Sequence, residues 1–149
     1  MPDNQLKPRD AADIEQAVRS ALAGGKTLEV VGRGTKRAIG RAAQWDATLG
    51  LSALTGVTLY EPEELVLSAK AGTPIAEIEA LVANSKQELA FEPMDYASVL
   101  GGAAGAASIG GVLAGNLSGP RRIKSGAARP IKPAMIVRCM IAPFAYADR

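Results

Sequence analysis

The placement of glycine limits most strongly what this chain can become. The 149-residue sequence carries sixteen glycines. Nine of them stand in two places: Gly32-Arg33-Gly34, directly behind the apolar run Thr27 to Val31, and the long uncharged stretch from Ala97 to Gly119. Glycine opens backbone conformations closed to other residues and lets other groups come close to the main chain, at a cost in helix and strand propensity. The segment from Gly101 to Gly119 therefore reads as poor helix and poor strand, suited to backbone lying against something flat or charged. Ile109, Val112, Leu113 and Leu117 within it call for burial, which argues against a plain surface loop and for a ligand.

Around these segments the chain alternates helix and strand signals. Asp10 to Leu22 reads as a helix with Asp10 at the N-cap, Ile14, Val18 and Leu22 on one face and Gly24-Gly25 at its end. Thr27 to Val31 follows as a largely buried strand. Arg37 to Asp46 carries no clear period. Thr48 to Ser52, Val57 to Tyr60 and Leu65 to Ala69 read as short strands, with a turn at Glu61-Pro62-Glu63-Glu64. The next helix is expected to open with Thr73 at its cap and Pro74 at its first position, with Glu77 near N3 and an apolar face of Ile75, Ile78, Leu81 and Val82. Leu89-Ala90-Phe91 looks like a strand entering Pro93. The order suggests two α/β lobes, with no internal repeat. A chain of about 150 residues buries roughly 70% of its unfolded surface, enough for independent folding. Only 4% of its residues are aromatic, so the core must be aliphatic.

Composition removes several functions. The sequence contains no histidine, so neither a Ser-His-Asp triad nor a His-ligated zinc can be built. Cys139 is the single thiol, which excludes an internal disulfide and a Cys-rich metal site. No metal is expected. The net charge of +2 and the scattering of basic residues up to the Arg121, Arg122, Lys124, Arg129 cluster do not suit a nucleic-acid binder. The polar N-terminus lacks the apolar core of a secretory signal. Ala97 to Gly115 has Gly-xxx-Gly spacings but too few strongly apolar residues for a membrane span.

Gly24-Gly25-Lys26-Thr27 resembles the end of a phosphate-binding P-loop. It fails because Ser20 stands where the first glycine is needed, and because it follows a helix and enters a strand. Gly32-Arg33-Gly34-Thr35-Lys36 begins like a dinucleotide fingerprint, but the third glycine position is Arg37. Taken alone, a tight turn leaving a strand is the simpler reading. The other is a phosphate cradle: successive N–H groups in a turn form an anion-binding nest, and Thr35, Lys36 and Arg37 add a hydroxyl and charge. The run from Ser108 through Asn116, Ser118 and Gly119 to Arg121-Arg122 suits backbone packed along a phosphate and a ring system.

Five blocks then carry a resemblance. They are Val31 to Lys36, Leu54 to Leu65 (LTGVTLYEPEEL), Ala71 to Ile78 (AGTPIAEI), Leu89 to Asp95 (LAFEPMD), and Ser108 to Gly111 with Asn116 to Arg122. In this order the chain resembles the FAD-binding subunits of bacterial glycolate oxidases, within the wider family of FAD-binding domains related to vanillyl-alcohol oxidase and p-cresol methylhydroxylase. The resemblance spans about Asp10 to Arg129. It implies an α+β fold of two lobes with FAD between them, a first lobe over about 1–52 and the start of a second over about 53–129. It implies that Gly32, Arg33, Gly34, Thr35 and Lys36 hold the pyrophosphate, and that Pro93, Ser108, Ile109, Gly110, Gly111, Asn116, Ser118 and Gly119 contact the cofactor. FAD would be bound non-covalently, since the histidine or cysteine that tethers flavin in some members is not available in the matched blocks. The activity implied is FAD-linked oxidation of a 2-hydroxy acid such as glycolate, with no catalytic base identifiable. A related flavoprotein subunit and an iron–sulfur subunit are the implied partners. The implied location is cytoplasmic, or peripheral to the inner face of the membrane through those partners.

After Arg129 the pattern stops. Residues 130–149 are expected to be a divergent or out-of-frame tail, leaving the second lobe incomplete, an apolar strand edge exposed and FAD bound weakly. A divergent strand over Ile131 to Ala142 is the alternative. A fragment that has lost its cofactor and serves as an interaction module is the competing functional reading.

Overall fold

The computed structural model describes residues 5–120, residue 123 and the strand at 136–143, the last as backbone only. The Arg121, Arg122, Lys124, Arg129 cluster and the flanks of the expected tail lie outside the described residues. The elements are β1 (Gln5–Leu6), α1 (Ala11–Ala23), β2 (Leu28–Val31), β3 (Ala47–Gly50), β4 (Val57–Glu61), β5 (Val66–Lys70), α2 (Ile75–Ala83), β6 (Gln87–Leu89), α3 (Ile109–Ala114) and β7 (Ile136–Pro143). They build two sheets. The first is parallel, in the order β1-β3-β2. The second is antiparallel, in the order β4-β5-β7-β6.

Helix α1 starts where the sequence places it. The Asp10 carboxylate accepts from the Asp13 N–H at 2.9 Å, and Gly25 adopts the left-handed conformation beyond the C-cap at Gly24. The buried face differs from the expected Ile14-Val18-Leu22 stripe. Leu22 is 74% exposed and Ala21 is the buried residue of this helix. The side facing the first sheet, Asp13, Gln16, Ala17, Ser20 and Ala21, is small or polar and lines an open cleft against Leu28, Ala47 and Leu49. β2 is likewise only half-buried, with Val30 63% exposed, because it is an edge strand.

The second sheet carries the main core. Leu67 and Ala69 of β5, Ile75, Ile78 and Val82 of α2, Leu89, Phe91, Ala107, and Ile109, Val112 and Leu113 of α3 form one buried cluster. Burying a Leu or Ile side chain is worth about 1.5–3 kcal/mol, so most of the hydrophobic stabilisation sits here. Thr73 is not the cap of α2. Pro74 occupies the cap position with no side-chain bond. The Thr73 hydroxyl, fully buried, instead donates to the Lys70 carbonyl at 2.7 Å and accepts from the Gly56 N–H at 3.0 Å. It ties the entry of β4 to the exit of β5. Buried Gln87 does similar work at the far end, accepting from the Tyr60 hydroxyl at 2.8 Å and donating to the Pro62 carbonyl at 2.7 Å.

Two regions depart from expectation. Part of the glycine-rich stretch is a helix, α3, capped by Ser108, whose hydroxyl accepts from the Gly111 N–H at 3.4 Å. Its glycines answer close packing: a Cβ on Gly110 would lie 2.7 Å from the Ala71 carbonyl oxygen. Within the expected tail, Ile136–Pro143 is a strand that pairs with β5 on one side and β6 on the other. It covers the edge of β5 opposite β4, and it falls largely within the span of the alternative reading, a strand over Ile131 to Ala142. Among the described residues no helix is long and apolar enough to cross a membrane.

Candidate functional site

The parallel pairing of β2 with β3 fixes where the glycine turn falls. Val31 ends the ladder opposite Gly50, and the chain leaves the sheet at Gly32. Gly34 turns it at φ 73°, a left-handed conformation that glycine adopts without strain. The turn closes through Arg37 N–H to Gly34 O at 3.2 Å and Ile39 N–H to Lys36 O at 3.0 Å. Arg37 then grips β2 with both ends of its guanidinium on Glu29, the Nε–Oε1 bond measuring 2.9 Å, while Thr48 donates to the same carboxylate at 3.1 Å. The Arg37 hydrogen bonds hold the Glu29 carboxyl below its usual range against the opposing effect of desolvation.

Five consecutive backbone N–H groups, Gly32 to Lys36, donate to no acceptor among the described residues. They border a cleft of about 680 Å3 that runs along β2 from the turn to Trp45 and is closed on the other side by Ser108, Gly111 and the end of α3. That volume lies in the range of small-molecule and cofactor sites. The two glycine segments meet here. A Cβ on Gly32 would lie 2.6 Å from the Ser108 hydroxyl, and one on Gly111 would lie 3.8 Å from Lys36 Nζ. Lys36 is half-buried; burial pushes its ammonium below the usual range, and the Asp95 carboxylate works in the opposite direction. Asp95 is itself held in place by N–H bonds from Ala97 at 2.9 Å and Gly105 at 2.7 Å, which together depress its pKa. A turn of free donors beside a half-buried cation, with no side chain in the way at Gly32 or Gly34, fits a phosphate or pyrophosphate.

The structure brings Gly32, Arg33, Gly34, Thr35, Lys36, Ser108 and Gly111 to one cleft. The remaining expected contacts fall elsewhere. Ile109 is fully buried in the core, and Gly110 packs on Ala71. Asn116 is exposed just past the α3 C-cap at φ 48°, a conformation asparagine tolerates. Pro93 and Ser118 bridge each other, and Gly119 donates its N–H to the Glu92 carbonyl at 2.9 Å. Sequence reasoning missed the cleft's outer wall, Ile39, Arg41 and Trp45. It lies in a stretch without regular structure, so no periodic signal marked it. Among the described residues no cluster of ligands could hold a metal ion.

A mixed helix-and-strand fold with a glycine turn beside a cofactor-sized cleft is in keeping with a nucleotide-cofactor domain, and the chain belongs to the FAD binding domain family, whose model matches residues 2–131. FAD is thus its cofactor. The chain is 35% identical over 116 residues to the glycolate oxidase subunit GlcE of Escherichia coli (strain K12), a match covering 78% of this chain and 31% of that subunit. The fold recurs in two crystal forms of alkyldihydroxyacetonephosphate synthase. In one the TM-score is 0.68 at 13% identity, and in the other 0.65 at 14%. Each match covers 93% of this chain and 31% of the synthase. The chain thus spans about a third of the length of these relatives.

Proposed function

We propose that this chain is the FAD-holding part of a flavin-dependent 2-hydroxy-acid dehydrogenase subunit, of the glycolate-oxidising kind, binding FAD non-covalently. The observation that carries the cofactor placement is the run of five residues, Gly32 to Lys36, that line the cleft and whose N–H groups have no acceptor among the described residues. These donors and the Lys36 ammonium would take the pyrophosphate. Thr35, Ser108 and Gly111 border the same space, whereas Pro93, Ile109, Gly110, Asn116, Ser118 and Gly119 do not line it. When bound, FAD supplies hydride acceptance from the α-carbon of the hydroxy acid; the chain binds, orients and screens it. In this reading the first sheet with α1 is one lobe, about 1–52, and the second sheet with α2 and α3 begins the other, from about 53. The substrate class rests on the likeness to the glycolate oxidase subunit. The same likeness supports membership of a multi-subunit oxidase; in this reading the other members are a related flavoprotein subunit and an iron–sulfur subunit, at the inner face of the membrane.

The test is FAD binding by equilibrium dialysis, comparing the unaltered chain with Gly34→Val. A β-branched residue is strained at φ 73°, and its side chain would press on the Arg37 and Val31 side chains that flank the turn, so the turn must change shape. The substitution is expected to abolish binding, and acid precipitation of the loaded chain is expected to release all the flavin. Unchanged affinity in Gly34→Val would remove the cradle assignment.

A further inference from the structure

The cleft beside the glycine turn holds more positive charge than a two-phosphate ligand requires. Arg33, Lys36, Arg37 and Arg41 bring four cations to it and Glu29 one anion, a net of +3. The whole chain carries +2, so everything outside the cleft sums to −1. The four cations are not equivalent. Arg37 is committed to Glu29 through two bonds and holds the turn onto β2. Lys36 is half-buried at the inner wall, near Gly111 and under the influence of Asp95. Arg33 and Arg41 line the cleft with exposed side chains and make no ion pair with any described residue.

We infer that Arg33 and Arg41 form an electrostatic collar that captures the anionic cofactor and hands it to the inner donors, a role that rests on the FAD reading above. An exposed arginine pays side-chain entropy to hold a fixed contact and is strongly screened there, so it contributes little to a finished complex. Its field still reaches into the solvent. A cleft lined by one sign of charge raises the association rate of an opposite charge by roughly 10- to 1,000-fold at low ionic strength. Rim charges accordingly act on the association rate and its salt dependence, and buried contacts on the dissociation rate. The division here is between a collar of two arginines that sets how fast FAD arrives and an inner set, Gly32 to Lys36, that sets how long it stays. The backbone N–H of Arg33 belongs to the inner set and survives substitution of its side chain.

The test is rapid mixing of the full chain with FAD, followed by flavin fluorescence, from about 0.01 M to about 1 M salt, where the Debye length falls from about 30 Å to about 3 Å. The Arg33→Gln/Arg41→Gln double variant is expected to associate roughly tenfold more slowly at low salt, to dissociate at the unaltered rate, and to match the unaltered chain at high salt. The Arg9→Gln/Arg19→Gln variant, which changes net charge equally on α1 and just before its cap, is expected to associate normally. Three results would overturn the collar: an equal slowing at every salt concentration, a faster dissociation from the collar variant, or an equal slowing by the α1 variant. If the unaltered chain captures no FAD under any condition, the flavin reading itself falls and the collar with it.

Discussion

The two sheets divide the labour of this molecule unequally. Around the second, eleven buried side chains among the described residues, from β5, α2, β6, α3 and the segments between them, interlock in one cluster. Around the first, burial is confined to a few positions such as Ala21, Ala47 and Leu49, while Val18, Leu22 and Val30 stay exposed. Yet the first sheet supplies the free donors and most of the charge of the cleft. The donor turn thus follows the sheet with fewer buried side chains among the described residues, and Ser108, at the start of the better-buried α3, stands against Gly32. Sites drawn from low-stability regions are common because binding needs some freedom.

The comparison breaks most easily at the core. Ile78→Ala, at a fully buried position, is expected to cost about 2–5 kcal/mol. Leu22→Ala, at a surface one, should change stability by less than about 0.5 kcal/mol. Urea midpoints would measure both, and equal losses would mean that the two sheets share one core.

The two kinds of glycine sharpen it next. Gly110→Ala puts a methyl against the Ala71 backbone, which has nowhere to go, and is expected to cost about 1–3 kcal/mol. Gly32→Ala meets only the Ser108 hydroxyl, so combining it with Ser108→Ala should cost less than the two single losses added together. Additive losses in that double-mutant cycle would show that the two glycine segments do not touch.

The smallest effect is a matter of pH. The Asp95 carboxylate is depressed by the N–H groups of Ala97 and Gly105. A folded-state pKa below the unfolded one gives a contribution that is present above the ordinary carboxylate pKa of about 3.9 and is lost as pH falls through the lower folded value. The amide protons of Ala97 and Gly105 should therefore titrate together below about pH 3.9, and Asp95→Asn should remove that titration from both. A midpoint at or above the ordinary value would remove the clamp.

Much of this was legible in the residues. The Asp10 cap, the glycine end of α1, the β4–β5 pair and the face of α2 follow from local chemistry, and the order of the five blocks pointed to FAD. What was not legible depended on distant partners. α3 contains Gly110 and Gly111, which propensity counts against a helix; only the approach of Ala71 makes them fit. Thr73 could cap a helix or brace two strands, and the choice falls to Gly56 and Lys70. The stripe on α1 is regular in sequence, but the helix turns its small and polar side, with Ala17 and Ala21, to Leu28, Ala47 and Leu49 of the sheet. Whether 130–149 belonged to the fold was invisible to periodicity, since β7 takes its place through ladder bonds to β5 and β6.

The most direct test of the central claim follows the backbone amides by NMR while FAD is added. The account expects the signals of Gly32 to Lys36 to move first and furthest, with Ser108 and Gly111 across the cleft moving with them. Movement confined to the α1 cleft, around Lys7, Gln16 and Ser20, with the glycine turn silent, would contradict it.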